Sequence, residues 1–368
     1  MARRKTFLSV LLLYPISKIY GMVIGIRNMM FNHGMLRQHS FDIPIITVGN
    51  ISVGGTGKTP HTEYIVEALC NKYKLGVLSR GYKRKTKGFV LATPQCKVED
   101  IGDESYQIFR KFEDKGVVVA VCENRVKGIE QMRELYPELN LIVLDDAFQH
   151  RYVKPSISVV LIEANNPAYE DSLLPYGRLR EPIRALDRAD VVIVTKCPED
   201  IKPMECRLYK THLNLFPYQK LLFSRYKYQE LKPLFPGQTA IDNFSLTSLT
   251  SSDTILAVSG VANPRPFIRY LRTYKAKVKL KRYADHHRFT RYDLDSILQK
   301  FKTMGGKRKV MITTEKDAVR LISNPYFPTQ LRDCSYYLPI KVSFEDLNDE
   351  SLSQVLDNLL RSSGGIHS

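Results

Sequence analysis

An α/β protein, with a mostly parallel sheet core and a second, smaller α/β lobe, is what this chain predicts, and three observations carry the prediction. Short β-branched runs alternate with longer helical stretches, which is the pattern of βαβ units. The alternation resumes after a turn-rich, polar stretch around 235–253. The chain has 368 residues, 43% of them hydrophobic and 25% charged. That is length for two ordinary domains, and the composition excludes disorder, collagen and solenoid bias.

In chain order, residues 7–31 come first. They are largely apolar, but Lys18 and Arg27 interrupt them and Pro15 breaks the run, so an uninterrupted apolar span of about 20 residues is absent. Six basic residues (Arg3, Arg4, Lys5, Lys18, Arg27, Arg37) precede the first acid, Asp42. This pattern predicts a membrane-associated helix lying in the surface of an anionic leaflet, with a plain buried helix and a cleaved signal peptide as the competing readings. Strands follow at 43–48, 76–79, 117–121, 141–144, 159–162 and 191–195. A second series is expected near 255–258, 278–283 and 310–313, with a last helix at 347–361. The resulting division is an N-terminal segment 1–32, a core 33–217, a connector 218–235 and a second lobe 236–368.

The strand ending at Val48 runs into Gly49-Asn50-Ile51-Ser52-Val53-Gly54-Gly55-Thr56-Gly57-Lys58-Thr59-Pro60 and then a helical stretch at 63–71. Strand, glycine-rich loop, lysine, threonine and helix are the parts of a P-loop, which makes the core P-loop NTPase-like. Glycines let backbone N–H groups turn around phosphate oxygens, the helix N-terminus adds positive potential, Lys58 reaches the β and γ phosphates, and Thr59 can ligate Mg²⁺. Val53, Gly54, Gly55, Thr56, Gly57, Lys58 and Thr59 are therefore the candidate ATP-binding residues. The usual spacing would place glycine at 52, where Ser52 stands, so the loop is a variant.

The strand at 141–144 ends in Asp145-Asp146, at the sheet edge that carries the P-loop, where a carboxylate can hold Mg²⁺ directly or through water. Adjacent carboxylates on extended chain point opposite ways, so only one need meet the metal. Asp103 opens a predicted helix, where an N-cap is the simple reading. His286 and His287 are adjacent, which is poor geometry for chelating one metal and favours a structural or acid/base role.

Taken together, V-G-N-I-S-V-G-G-T-G-K-T-P (48–60), S-R-G-Y (79–82), G-D-E (102–104), D-D-A-F-Q-H (145–150), L-L-P-Y-G-R-L-R-E-P (173–182), D-H-H (285–287) and T-E-K-D-A (314–318) resemble the tetraacyldisaccharide 4′-kinase family of lipid A biosynthesis. The likeness runs in order from about residue 40 to about residue 320. It implies two α/β lobes and transfer of the ATP γ-phosphate to the 4′-hydroxyl of a lipid A precursor, a tetraacylated disaccharide 1-phosphate, at the cytoplasmic face of the inner membrane. By the same resemblance Asp103 is the candidate base and His286 its partner from the second lobe. Asp145 and Asp146 form the metal and water-positioning pair, Arg125 and Arg180 lie near the reacting phosphates, and Glu181 lies beside Arg180. Ala147, in place of a glycine, and Tyr176 with Arg178, in place of alanine and proline, depart from the family pattern.

Lys+Arg 55 against Asp+Glu 38 gives +17, a surplus that favours phosphorylated partners, nucleic acid or anionic lipid. No helix-turn-helix, zinc finger or RNP motif accompanies the charge, so no nucleic-acid partner is expected and an anionic membrane surface is. The six cysteines form no C-x-x-C pair and read as reduced thiols. A membrane-associated P-loop ATPase switch is the alternative function. Thr195-Lys196-Cys197 is followed by Pro198 where a GTPase motif needs Asp.

Overall fold

The structure, a computed structural model, describes residues 7–238, 244–344 and 347–363. The larger sheet contains β1 (Ile45–Asn50), β2 (Leu75–Ser79), β3 (Val90–Leu91), β4 (Val118–Val121), β5 (Leu141–Asp145), β6 (Ile157–Glu163), β7 (Val191–Thr195) and β8 (Lys220–Phe223). Their spatial order is β3-β4-β2-β5-β1-β6-β7-β8, with only β3 antiparallel to its neighbour. Every residue of β1, β2, β5 and β7 is buried. β5 and β7 are near-continuous Val/Ile/Leu runs because a parallel sheet carries helices on both faces and has no wet side.

The ribbon strand β9 (Arg225–Tyr228) and the edge strand β10 (Lys232–Pro233) lead into the second sheet, formed with β11 (Thr254–Ser259), β12 (Lys277–Arg282), β13 (Lys309–Thr314) and β14 (Ser335–Leu338). Its order is β10-β14-β13-β11-β12, parallel except for β10. The chain then returns as β15 (Ile340–Ser343), antiparallel to β9. The two lobes and the P-loop core thus follow the expected class.

Pairing moves the expected border. Residues 218–235 are no plain connector: they hold the last strand of the first sheet, one strand of the ribbon and the edge of the second sheet. The final helix, Leu352–Ser363, falls in the expected second lobe 236–368 but packs on the first. Its Leu352, Val355, Leu356 and Leu360 share a core with Ile65, Val66 and Leu69 of the helix Lys58–Leu69. The physical reason is that an apolar helical stripe states that it needs a partner without stating which one. Burying each such side chain is worth roughly 1.5–3 kcal/mol, which fixes the return of the chain to the first lobe.

The N-terminal helix spans Phe7–Asn32 and continues through Pro15. A proline removes one backbone bond from a helix interior, and the helix runs on past it. One side docks on the core. Ser17 Oγ donates to the Leu173 carbonyl at 2.8 Å, Tyr20 Oη to the Arg180 carbonyl at 2.8 Å, and Asn28 Nδ2 to Glu181 Oε2 at 2.9 Å. Phe31 is buried, while Leu11, Leu12, Ile16, Ile19, Met22, Val23 and Ile26 are exposed on the other side.

Candidate active site

The phosphate loop leaves β1 at Asn50 and enters the helix at Lys58. Gly57 caps that helix at φ 94°, in the left-handed region, and a Cβ built there would lie 1.9 Å from the Tyr226 hydroxyl, so only glycine fits. Asn50 Nδ2 donates to Thr56 Oγ1 at 2.8 Å, and Thr195 Oγ1 donates to the Thr56 carbonyl at 2.8 Å. Lys196 Nζ donates to the Gly55 carbonyl and pairs with Glu163 at 2.8 Å. Threonine and lysine of the T-K-C-P sequence therefore brace the loop. The absence of glycine at 52 also finds its explanation. Ser52 bridges to Leu179, and Val53 N donates to the Arg178 carbonyl at 2.7 Å, so this arm is held by the 173–182 segment. Both departures from the family pattern in that segment are packed. Tyr176 stacks edge-on against Tyr14 at 5.4 Å, and Arg178 donates to the Val53 carbonyl at 3.2 Å.

One turn into the helix, His61 Nδ1–H donates to the Gly57 carbonyl (2.7 Å), leaving Nε2 to accept from Ser224 Oγ at 2.9 Å. Burial holds the imidazole down to about 4. The unfolded chain binds a proton at His61 below about 6.5 and the folded one does not until about 4, so stability falls as pH drops through that window. The loss is on the order of 3 kcal/mol, at about 1.36 kcal/mol per pKa unit. His61→Gln is expected to flatten the decline measured by urea unfolding between pH 7 and 4.5. An unchanged slope would count against this coupling.

Of the two adjacent acids, only one faces the loop lysine. Asp146 has φ 49° and its Oδ1 lies 3.5 Å from Lys58 Nζ and 3.6 Å from Arg180 Nη1. Asp145 is buried and accepts from Thr62 Oγ1 at 2.9 Å. Burial, then the neighbouring Asp146 charge, pushes its carboxyl up to about 6. Thr59 is half-buried in the first turn of the same helix.

Asp103 is the first residue of the helix Asp103–Phe112, and Gly102 rather than an Asp103 side-chain cap starts it. The carboxylate is turned outward to the second lobe. His286 Nδ1 lies 3.1 Å from Asp103 Oδ2, and Arg320 Nη2 lies 2.5 Å from the same oxygen. Burial acts to raise the Asp103 pKa, but hydrogen bonds and charge from His286 and Arg320 outweigh it and hold the carboxyl well below the usual carboxylate range. His286 follows β12, and Arg320 lies in the helix Glu315–Ile322 after β13. The C-terminal edges of the two sheets therefore face each other here. Lys111, at the far end of the Asp103 helix, pairs with buried Glu63 of the P-loop helix at 2.5 Å and lies 3.8 Å from Glu315. That contact ties the P-loop helix, the Asp103 helix and the second lobe together. His287, by contrast, is structural: it stacks on Tyr283 and pairs with Asp293 at 2.9 Å.

Arg125, expected near the phosphates, and Glu181, expected beside Arg180, both find partners within the protein. Arg125 is buried, and its guanidinium donates to the carbonyls of Cys122 (2.8 Å), Glu123 (3.3 Å) and Asp145 (3.4 Å). It clamps the strand ends. Glu181 is buried and accepts from Asn28, Gln149 and Arg188 at 2.9–3.1 Å. It fastens the N-terminal helix to the core. Arg180, next to it, does reach Asp146. The sequence assigns no role to Lys316 or Arg320; Lys316 lies in the T-E-K-D-A motif and Arg320 follows four residues later, one helical turn on.

Asp103, Glu104 and His286 place possible ligand atoms within 4.8 Å of one another. A cation there would meet Lys316, 3.0 Å from His286 Nε2, and Arg320, which argues for proton chemistry over chelation.

Fold and site together define a two-lobed P-loop phosphotransferase. The chain belongs to the tetraacyldisaccharide-1-P 4′-kinase family, whose profile matches residues 9–361. It is 44% identical to the tetraacyldisaccharide 4′-kinase of Bacteroides thetaiotaomicron over 95% of this chain and 93% of that one. The Phocaeicola vulgatus enzyme is 45% identical, with 95% of each chain covered. The crystal structure of LpxK from Aquifex aeolicus in complex with ATP superposes with a TM-score of 0.73 at 26% identity, covering 97% of this chain and 99% of that one. The activity expected from the motifs is thereby established: this is an ATP-dependent kinase that converts tetraacyldisaccharide 1-phosphate to lipid IVA.

Proposed function

We propose that the reaction runs at the facing edges of the two sheets, with the roles divided as follows. The 53–58 loop and Lys58 hold the ATP phosphates. Asp103 receives the proton of the 4′-hydroxyl as its oxygen bonds to the γ-phosphorus, and the bond from that phosphorus to the β–γ bridging oxygen breaks, releasing ADP. His286 orients Asp103, and Arg180 adds positive charge beside the transferring group. Such a reaction asks for positioning and charge more than covalent participation. The observation that carries this reading is the Asp103–His286 contact of 3.1 Å between residues 183 positions apart, on the sheet edge that also bears the P-loop.

A divalent cation fits the donor set. Thr59, Asp145 and Asp146 are hard oxygen donors of the kind Mg²⁺ takes, and Asp146, beside Lys58 and Arg180, is the accessible one. When bound, Mg²⁺ would neutralise charge on the β and γ phosphates.

The N-terminal helix supports placement at the cytoplasmic face of the inner membrane, where its lipid substrate resides. Val10–Asn32 is long and apolar enough to cross a membrane by length and composition. Its polar ties to Leu173, Arg180, Glu181 and Arg151 hold one side to protein, which favours a helix retained in the leaflet surface over a cleaved signal. Replacing exposed Leu12 and Ile19 by Glu is expected to weaken binding to anionic vesicles and raise the apparent KM for the lipid, with ATP affinity nearly unchanged. Undiminished vesicle binding would refute the anchor. Purified protein given labelled ATP, Mg²⁺ and the disaccharide 1-phosphate in detergent should yield labelled lipid IVA. ATP hydrolysis without lipid product would instead favour the switch.

A further inference from the structure

The cations around the Asp103–His286 pair have no part in the reaction as described so far. Arg320 is almost fully buried. Its Nη2 reaches Asp103 Oδ2 at 2.5 Å and His286 Nδ1 at 3.2 Å, while its Nη1 lies 3.3 Å from Asp317 Oδ1. Asp317 is itself held rigidly, accepting from Gly260 N at 2.8 Å and Thr314 Oγ1 at 2.7 Å. The guanidinium is therefore pinned at one end to the second lobe and at the other to the carboxylate of the first.

At the far side of the imidazole, Nε2 is faced by three charged groups. Lys316 Nζ lies at 3.0 Å, Asp285 Oδ2 at 3.9 Å and Glu104 Oε1 at 4.0 Å. Lys316 also reaches Glu104 at 3.4 Å and Asp285 at 3.8 Å. An ammonium group has donors and no acceptor, so the nitrogen it touches must accept. The remaining proton then sits on Nδ1, 3.1 Å from Asp103 Oδ2, an oxygen that can only accept; Arg320 Nη2, though 3.2 Å from Nδ1, donates to that same oxygen at the shorter 2.5 Å.

We infer that Lys316 and Arg320 are positioning residues for phosphoryl transfer: Lys316 holds His286 as the Nδ1–H tautomer, and Arg320 clamps the Asp103 carboxylate against the second lobe. This inference rests on the reading of Asp103 as the base. Each is assigned its effect through its partner, Lys316 through His286 and Arg320 through Asp103. Arg320 also makes a correctly set Asp103 conditional on the lobes being together, because its anchor Asp317 and its target lie on opposite lobes.

The test uses the full-length enzyme in detergent. Arg320→Lys keeps a positive charge for Asp317 and loses the two-ended fork. It is expected to lower kcat on the order of 10- to 100-fold, the scale of a misplacement of about 1 Å, with the KM for ATP and the melting temperature nearly unchanged. In an Asp103→Asn background the same change should cost no further activity, since residues that act as a unit are not additive. An equal loss in both backgrounds would overturn the assignment of Arg320. For Lys316, ring ¹⁵N NMR of the histidines, with His286 assigned by its loss in His286→Ala, should show an unprotonated Nε2 in the native enzyme and a protonated one in Lys316→Met. A native Nε2 that already carries a proton would overturn that half. If Asp103→Asn retains near-native kcat, the base reading itself fails, an outcome separate from either of these.

Discussion

Lys58→Ala is expected to lower turnover at least about 100-fold without moving the melting curve. Lys58 leads the helix that follows the phosphate loop, half-buried, and its Nζ lies 3.5 Å from both Asn50 Oδ1 and Asp146 Oδ1. Neither contact is a buried, tightly closed pair, so removing the ammonium costs the fold little. On the proposed role, what it removes is a charge aimed where negative charge shifts in the transition state, and a single preorganised donor of that kind is worth about 10²–10³ in rate. Steady-state kinetics and thermal unfolding on the same preparation check the expectation. Near-native turnover with an unchanged melting curve would remove Lys58 from the chemistry and the P-loop assignment with it.

Asp103→Ala is the second large effect. A general base contributes on the order of 10² to 10⁴ in rate, and the loss should fall on kcat while ATP affinity stays close to native. Its partner Arg320 becomes underpaired on truncation, so Asp103→Asn is the companion variant that preserves volume and one acceptor oxygen. His286→Ala should follow the same pattern more mildly, lowering kcat without altering membrane partition, because it removes the orienting group and leaves the anchor alone. A loss seen mainly in nucleotide binding would mean that Asp103 serves the metal or the helix start.

The residues read well from the chain are those whose chemistry is local. A strand, a glycine-rich loop, a lysine and a helix succeed one another within 45–69, and Asp145-Asp146 closes an apolar strand, so both could be placed at one sheet edge before any packing was known. Which of the two acids would meet Lys58 was not local: Asp146 adopts φ 49° and turns to the lysine, while Asp145 is claimed by Thr62. The pairing of Asp103 with His286 came from resemblance, since no periodicity links residues 183 apart. For Arg125 and Glu181 a motif marks the residue without naming its partners, and the structure supplies them: one guanidinium binds strand-end carbonyls and one carboxylate fastens the N-terminal helix.

The sequence by itself determined the fold class, the phosphate loop, the carboxylate pair and the presence of an apolar, basic N-terminal segment, because each depends on neighbours within a few residues or on composition. Only the tertiary structure decided the rest. The short strand Arg225–Tyr228 pairs with Ile340–Ser343, more than a hundred residues later, and the final helix covers the first lobe instead of the second. Short polar strands and amphipathic helices specify that a partner is needed and leave its identity to whichever surface buries the most apolar area with its polar groups satisfied. The same holds at the site: Lys316 and Arg320 are neighbours of Asp103 and His286 because the second sheet presents its C-terminal edge to the first.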